Sequence, residues 1–199
     1  MGRMEKSSTL WDRSRQAVVA EIVDTALALF AEQGYEATTM AQVAKRAGVS
    51  QRSVFRYFGT KEDLVCGEQE ALGEVLVSAV AAQPPEVSTW DALRAGFTTI
   101  LTASNHTPQR VLEISALIFD NPSLHARYLE KRLRWQRSLV PVIEKRMGID
   151  SGEVPDARAM GVIATVFACV DAASELWVRH GGKADAFELY EQALAAVRG

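Results

Sequence analysis

An all-α fold in two domains is what the 199-residue sequence predicts, and three observations carry that prediction. Apolar residues recur at steps of three and four through most of the chain. Helix start and stop signals, Ser, Thr or Asn ahead and Gly or Pro behind, fall between these periodic runs. No run alternates with period two for long enough to make a strand, and no internal repeat is visible. The length suits one or two globular domains with a sizeable core, and 48% hydrophobic with 24% charged residues excludes wholesale disorder.

From Trp11 to Gln33, the residues Val18, Val19, Ile22, Val23, Ala26, Leu29 and Phe30 keep helical spacing, and Gly34 stops the helix. Thr39 and Gln42 form a capping box ahead of a short helix that ends at Gly48. Ser50 caps the next, Gln51 to Tyr57. Gly59-Thr60 breaks the chain again, and Thr60 with Asp63 caps a long helix from Lys61 to about Ala82, ended by Pro84-Pro85. Helices near Ser88–Ser104 and Thr107–Asp120 follow, the second with Pro108 at its first position. Asn121-Pro122 opens a helix to about Met147, and the Gly-, Asp- and Ser-bearing stretch 148–155 is a loop. Two last helices, about Asp156–Arg179 and Lys183–Val197, flank Gly181-Gly182. These make about nine helices. They divide into a helix-turn-helix domain over residues 11–60 and a larger helical domain over 61–199.

Charge is uneven along the chain. Up to Lys61 there are nine basic and six acidic residues, whereas the remainder holds 13 basic and 19 acidic, for a net charge of −3. A basic front on an acidic body fits a polyanionic partner. The longest uncharged stretch, Ala159 to Val170, is short of the roughly eighteen residues of a membrane span, and the amino end has no apolar export region. The expectation is a cytoplasmic protein with no membrane partner.

Two short helices joined by Ala47-Gly48-Val49 fit a helix-turn-helix. Met40, Val43 and Ala44 then face Val54 and Phe58, and Phe55 with Leu27 or Phe30 is expected to close the small core. The opposite face presents Gln51, Arg52, Ser53 and Arg56, with Tyr57 at its end. Gln and Arg pair bidentately with adenine and guanine edges, and such a helix fits the major groove. The helix starts at Thr39, Ser50 and Thr60, with Lys61 adjacent, offer amides and charge to phosphate. An ordinary solvated helix hairpin would share this spacing.

The run Gly34-Tyr35-Glu36-Ala37-Thr38-Thr39-Met40, then Val43-Ala44, Ala47-Gly48-Val49-Ser50, Ser53-Val54-Phe55-Arg56-Tyr57-Phe58 and Lys61-Glu62-Asp63-Leu64 resembles the TetR family of bacterial regulators. The resemblance spans Ala26 to Val65 without a gap. It implies a homodimer, each copy offering one helix-turn-helix to half of a palindromic operator. The second domain would bind an effector and change the separation of the two reading heads. Carried over residue by residue, Gln51, Arg52, Ser53 and Arg56 fall where the family reads bases, and Thr39, Tyr57 and Lys61 where it grips phosphate. Many members have a tyrosine at Phe55 that touches the backbone; without the hydroxyl, Phe55 is expected in the core. Arg3, Lys6, Arg13 and Arg15 correspond to an arm that reaches DNA in some members, but a frayed, solvated terminus is the better reading of them.

In the second domain, the helix Pro122–Met147 bears two apolar stripes: Leu124, Tyr128, Trp135, Leu139 and Val142 on one side, Leu129, Leu133, Val140 and Ile143 on the other. It also carries seven cations, which read either as a wet face or as arginines at the mouth of an apolar cavity holding an anionic head. Asn121-Pro122-Ser123-Leu124, the Arg-rich run and Trp135 loosely resemble a TetR subgroup whose ligands are like acyl-CoA. That implies a small hydrophobic effector such as a fatty acyl-CoA. Its candidate lining is Trp90, Phe97, Leu101, Ile114, Ile118, Phe119, Tyr128, Arg132, Trp135, Met160, Ile163 and Phe167, each of which also reads as plain core. On the last two helices, Ala168, Ala172, Trp177, Phe187, Tyr190 and Leu194 are candidates for a dimer seam or for packing within one chain.

No catalytic residues, cofactor or metal are expected. His106, His125 and His180 are scattered over different elements, and there is no phosphate-cradling glycine loop or metal-finger spacing. Cys169 reads as inert core and Cys66 as the more open thiol. Two readings of function remain: a repressor released by its effector, or an effector-free dimeric DNA-binding scaffold; activation in place of repression is also open.

Overall fold

The computed structural model describes residues 10–67, 69–103, 107–150 and 152–198. These form ten helical segments and, among the described residues, no strand: α1 (Leu10–Gln33), α2 (Met40–Arg46), α3 (Gln51–Tyr57), α4 (Asp63–Cys66), α5 (Gln69–Ala81), α6 (Thr89–Ala103), α7 (Pro108–Asp120), α8 (Pro122–Arg146), α9 (Ala157–Arg179) and α10 (Ala186–Arg198). The chain divides into two compact units, Met1–Gly67 and Glu68–Gly199. The extra segment arises where a single helix from Lys61 to Ala82 was expected. There α4 ends at Cys66, and the chain at Gly67 runs so close that a Cβ would lie 2.5 Å from the Asp63 carbonyl oxygen.

In the first unit α1 packs on α2 and α4, and α2 on α3. The core is Ile22, Ala26, Leu27, Leu29 and Phe30 of α1 with Met40, Val43, Ala44, Val54, Phe58 and Leu64. Cys66 is also wholly buried here, contrary to its reading as an open thiol. Thr39 and Gln42 make the expected reciprocal cap, with each backbone amide bonded to the other's side chain at 2.8 and 3.2 Å. Ser50 caps α3 through the Ser53 amide at 3.0 Å. Between them Gly48 adopts φ +68°, a left-handed turn that a Cβ would strain.

In the second unit α9 is central, touching α6, α7, α8 and α10, while α5 packs on α6 and α8. Leu76, Leu93, Phe97, Trp135, Leu139, Ile143, Ile163 and Phe167 belong to one continuous core. By length and composition α9 could cross a membrane. Its Ala159, Ile163, Val166, Phe167, Cys169 and Ala173 are instead buried within the unit, as in the core helix of a globular domain. Two backbone approaches define the packing. At Gly73 a Cβ would lie 2.4 Å from the indole ring of Trp135, so the absence of a side chain lets α8 close on α5. Arg146, at the end of α8, donates to the carbonyls of Gln83, Pro84 and Val87 at 2.8, 2.9 and 2.7 Å. It thereby ties down the loop that Pro84-Pro85 opens.

Candidate nucleic-acid interface and effector cavity

The short α3 has only one way to sit. Val54 and Phe58, four residues apart and so on one side of the helix, are buried against α1 and α2 residues. That turns Gln51, Arg52, Phe55 and Arg56 outward, where all four are exposed. Phe55 is 47% exposed, which corrects its expected place in the core: the Val54–Phe58 side already faces inward, and residue 55 lies about 100° around the helix from Val54. Gln51 and Arg52 make no hydrogen bond or ion pair to the described residues, so their donors are available. Arg56 donates to the Tyr57 hydroxyl at 3.0 Å and lies over its ring. Arg15 of α1 approaches the same ring at 5.8 Å. Ser53 is half-buried, its hydroxyl 2.8 Å from that of Ser50, so both serines are engaged in the cap. Arg3 and Lys6 lie outside the described residues, as does the side chain of Arg13.

The face is held by a clamp that spacing did not reveal. Lys61 Nζ donates to the Tyr35 carbonyl at 2.9 Å and sits 4.0 Å above the Tyr35 ring, while the Tyr35 hydroxyl donates to Glu62 at 2.9 Å. Burial pushes the Glu62 carboxyl up. Its own backbone amide, Tyr35, Thr60 and Lys61 outweigh that and hold it below its ordinary value of 4.5. The Lys61 ammonium is thus a structural tie as well as a charge near the face. Thr60 and Asp63 cap each other reciprocally at 3.1 and 3.3 Å.

The second unit contains a cavity of about 210 Å³. Of the expected lining, Phe97, Leu101, Tyr128, Arg132 and Trp135 border it. Leu72, Arg94, Ile100, Val170, Ala173, Ser174 and Ala186 border it without having been expected. The other candidates are elsewhere. Ile163 and Phe167 are filled core, and Met160 is 51% exposed on the outside of α9. Ile118 is buried on α7 and its neighbour Ile114 is half-buried, and neither borders the cavity. Phe119 packs edge-on against His125, and Trp90 lies under Arg198. His106 falls outside the described residues.

The dimer-seam candidates separate likewise. Ala168 and Ala172 are exposed on α9 and Trp177 is half-buried. Tyr190 and Leu194 are buried in the chain's own core, and Phe187 lines the cavity edge-on to Tyr190. Their apolar spacing on α10 is satisfied by α9 of the same chain. Exposed large apolar residues on α8 and α9 are instead Leu129, Leu133, Met160 and Leu176, and elsewhere in the unit Leu101, Val154 and Val197 are exposed as well.

The wet-face reading of the α8 cations holds for only some of them. Lys131 and Arg132 are buried. Nor does Arg132 stand at a mouth: its side chain is 5% exposed, pairs with Asp171 at 2.8 Å and donates to the Phe167 carbonyl at 3.1 Å. Burial raises the Asp171 carboxyl above its ordinary range against the pull of Arg132, Tyr128 and His125. Burial likewise pushes the Tyr190 phenol up to about 12 and raises the Cys169 thiol, leaving both neutral. Among the described residues, no group of three or more His, Cys, Asp or Glu is placed to hold a metal ion.

A trihelical unit with one exposed polar ridge is the architecture of a helix-turn-helix DNA-binding protein. The model of bacterial regulatory proteins of the tetR family matches residues 22–66, and that of the MftR C-terminal domain matches residues 87–199. The chain belongs to the TetR family of DNA-binding transcriptional regulators, with a C-terminal domain of the MftR type. The regulator TcmR of Streptomyces glaucescens is 26% identical over 186 residues, covering 89% of this chain and 81% of TcmR. MftR of Mycobacterium tuberculosis is 25% identical over 167 residues, covering 84% and 83%. Among solved structures, FadR of Thermus thermophilus, a TetR-family repressor in complex with lauroyl-CoA, superposes with a TM-score of 0.56 at 18% identity, over 89% of this chain and 91% of FadR.

Proposed function

We propose that this regulator is a cytoplasmic homodimeric repressor that leaves a palindromic operator when a small hydrophobic effector binds the second unit. The observation that carries it is the α3 ridge, where Gln51 and Arg52 stand exposed with no partner among the described residues while Val54 and Phe58 lock the helix from behind. Gln51, Arg52 and Arg56 read base edges in the major groove. The first-turn amides of α2 and α3, which follow the caps Thr39 and Ser50, with Tyr57 and Lys61, hold the flanking phosphates. Phe55, exposed on the same ridge, adds apolar contact to a thymine methyl.

Two copies associate through α8 and α9, where Leu129, Leu133, Ala168, Ala172 and Leu176 leave an apolar surface uncovered. Half-sites then lie about 34–36 Å apart or a multiple of that. The cavity supports the effector role, as does FadR, a protein of this fold whose ligand, lauroyl-CoA, carries an apolar acyl chain. The effector weakens operator binding by its differential affinity for the two states of the protein.

Selection of random duplexes with the purified protein tests the reading. A palindromic consensus bound by a dimer is expected, and recovery of no preferred sequence refutes it. An effector-free scaffold is distinguished by screening ligands for release of the selected duplex.

A further inference from the structure

Phe55 is out of keeping with the polar ridge that carries it. Its ring is 47% exposed, more than any other large apolar side chain among the described residues of the first unit. The neighbouring guanidiniums do not cover it, since Arg56 and Arg15 lie over the Tyr57 ring instead.

Helical geometry sets its neighbours. Residue 51 lies about 40° to one side of residue 55 and residue 52 about 60° to the other, one turn nearer the start of α3. Phe55 therefore shares its face with Gln51 and Arg52, roughly 5 Å further along the helix axis, or one to two base steps of a duplex.

The ring carries no hydrogen-bonding atom, so it reads none of the polar base edges and makes no hydrogen bond to a phosphate. What it gains is the removal of apolar surface from water, and the major-groove edges of the bases offer one apolar group, the C5 methyl of thymine. 5-Methylcytosine carries the same methyl at the same ring position, where cytosine and uracil carry hydrogen. An apolar side chain responds to that methyl whichever pyrimidine bears it. Gln51 and Arg52 do not supply this sensitivity, because their bidentate partners are adenine and guanine.

We infer that Phe55 makes the ridge a reader of pyrimidine C5 methyls, so that this regulator registers cytosine methylation within its operator as well as thymine. The inference rests on the proposed reading of bases by α3 and extends it from base identity to base modification.

The test uses the full-length protein and the selected operator at one salt concentration, with affinity followed by fluorescence anisotropy. Thymines are replaced by deoxyuridine one position at a time, in both half-sites together. At one position, within about two base pairs of those that Gln51→Ala and Arg52→Ala cease to distinguish, uracil is expected to weaken binding. The loss is about fourfold per methyl, or about fifteenfold for the two half-sites. At that position 5-methylcytosine is expected to bind more tightly than cytosine by the same factor. Phe55→Ala, at an exposed position, is expected to keep the urea midpoint of the native protein and to bind the thymine and uracil duplexes equally. Uracil tolerated at every position, no gain from 5-methylcytosine over cytosine, or a thymine preference that survives Phe55→Ala each overturns the inference while leaving operator recognition intact. A protein that selects no sequence at all refutes the proposed function together with it.

Discussion

The two units use their cations in opposite ways. In the first, Arg52 has no partner among the described residues and Arg56 meets a neighbouring phenol, so positive charge on α3 remains available to another molecule. In the second, Arg132 and Arg94 pair with carboxylates, and Arg146 donates to three carbonyls. An open cation in water is a recognition element for a polyanion, whereas one paired within the fold stiffens the scaffold. The modest basic excess of the front of the chain thus understates the contrast.

Mutations sharpen this contrast, and the largest effect on stability is expected from Arg146. Arg146→Met strands three carbonyls and releases the loop after α5, and should cost about 3 kcal/mol in urea unfolding without altering base preference on operator fragments. Gly73→Ala forces a methyl into the Trp135 ring and should cost about 1–3 kcal/mol in the same measurement. Tyr35→Phe removes the hydroxyl bond to Glu62 and should cost about 1 kcal/mol.

The same clamp makes a smaller prediction about pH. The folded-state pKa of Glu62 is depressed below 4.5, so its contribution is present above that value and fades as the pH falls through the folded pKa. Urea midpoints measured from pH 6 to 3 should therefore fall less steeply for Glu62→Gln than for the native protein. Equal slopes would remove the carboxylate from the clamp.

Local signals were legible in the sequence and long-range ones were not. The caps at Thr39 and Ser50 and the turn at Gly48 are encoded within three or four residues, and each forms as its spacing implies. Phe55 defeated the pattern because apolar character states a preference for burial, while the rotation of α3 is set by Val54 and Phe58. Tyr190 and Leu194 stayed open between two readings for a related reason: an apolar stripe calls for a partner surface without saying whether it belongs to the same chain, as it does here, or to a second copy. The burial of Arg132 depends on Asp171 and Phe167, more than thirty residues away on another helix, and nothing local announces it. The Lys61–Tyr35–Glu62 clamp is hidden in the same way, by the 26 residues that separate Lys61 from Tyr35.

The central claim is that the α3 ridge discriminates base sequence. The direct measurement is the affinity of the native protein, Gln51→Ala and Arg52→Ala for the selected operator and for a scrambled duplex, at one fixed salt concentration. Each substitution is expected to lower the ratio of the two affinities by about 1–3 kcal/mol, with the scrambled duplex bound almost as before. Equal losses on both duplexes would contradict the account, since those side chains would then be gripping the backbone rather than reading bases.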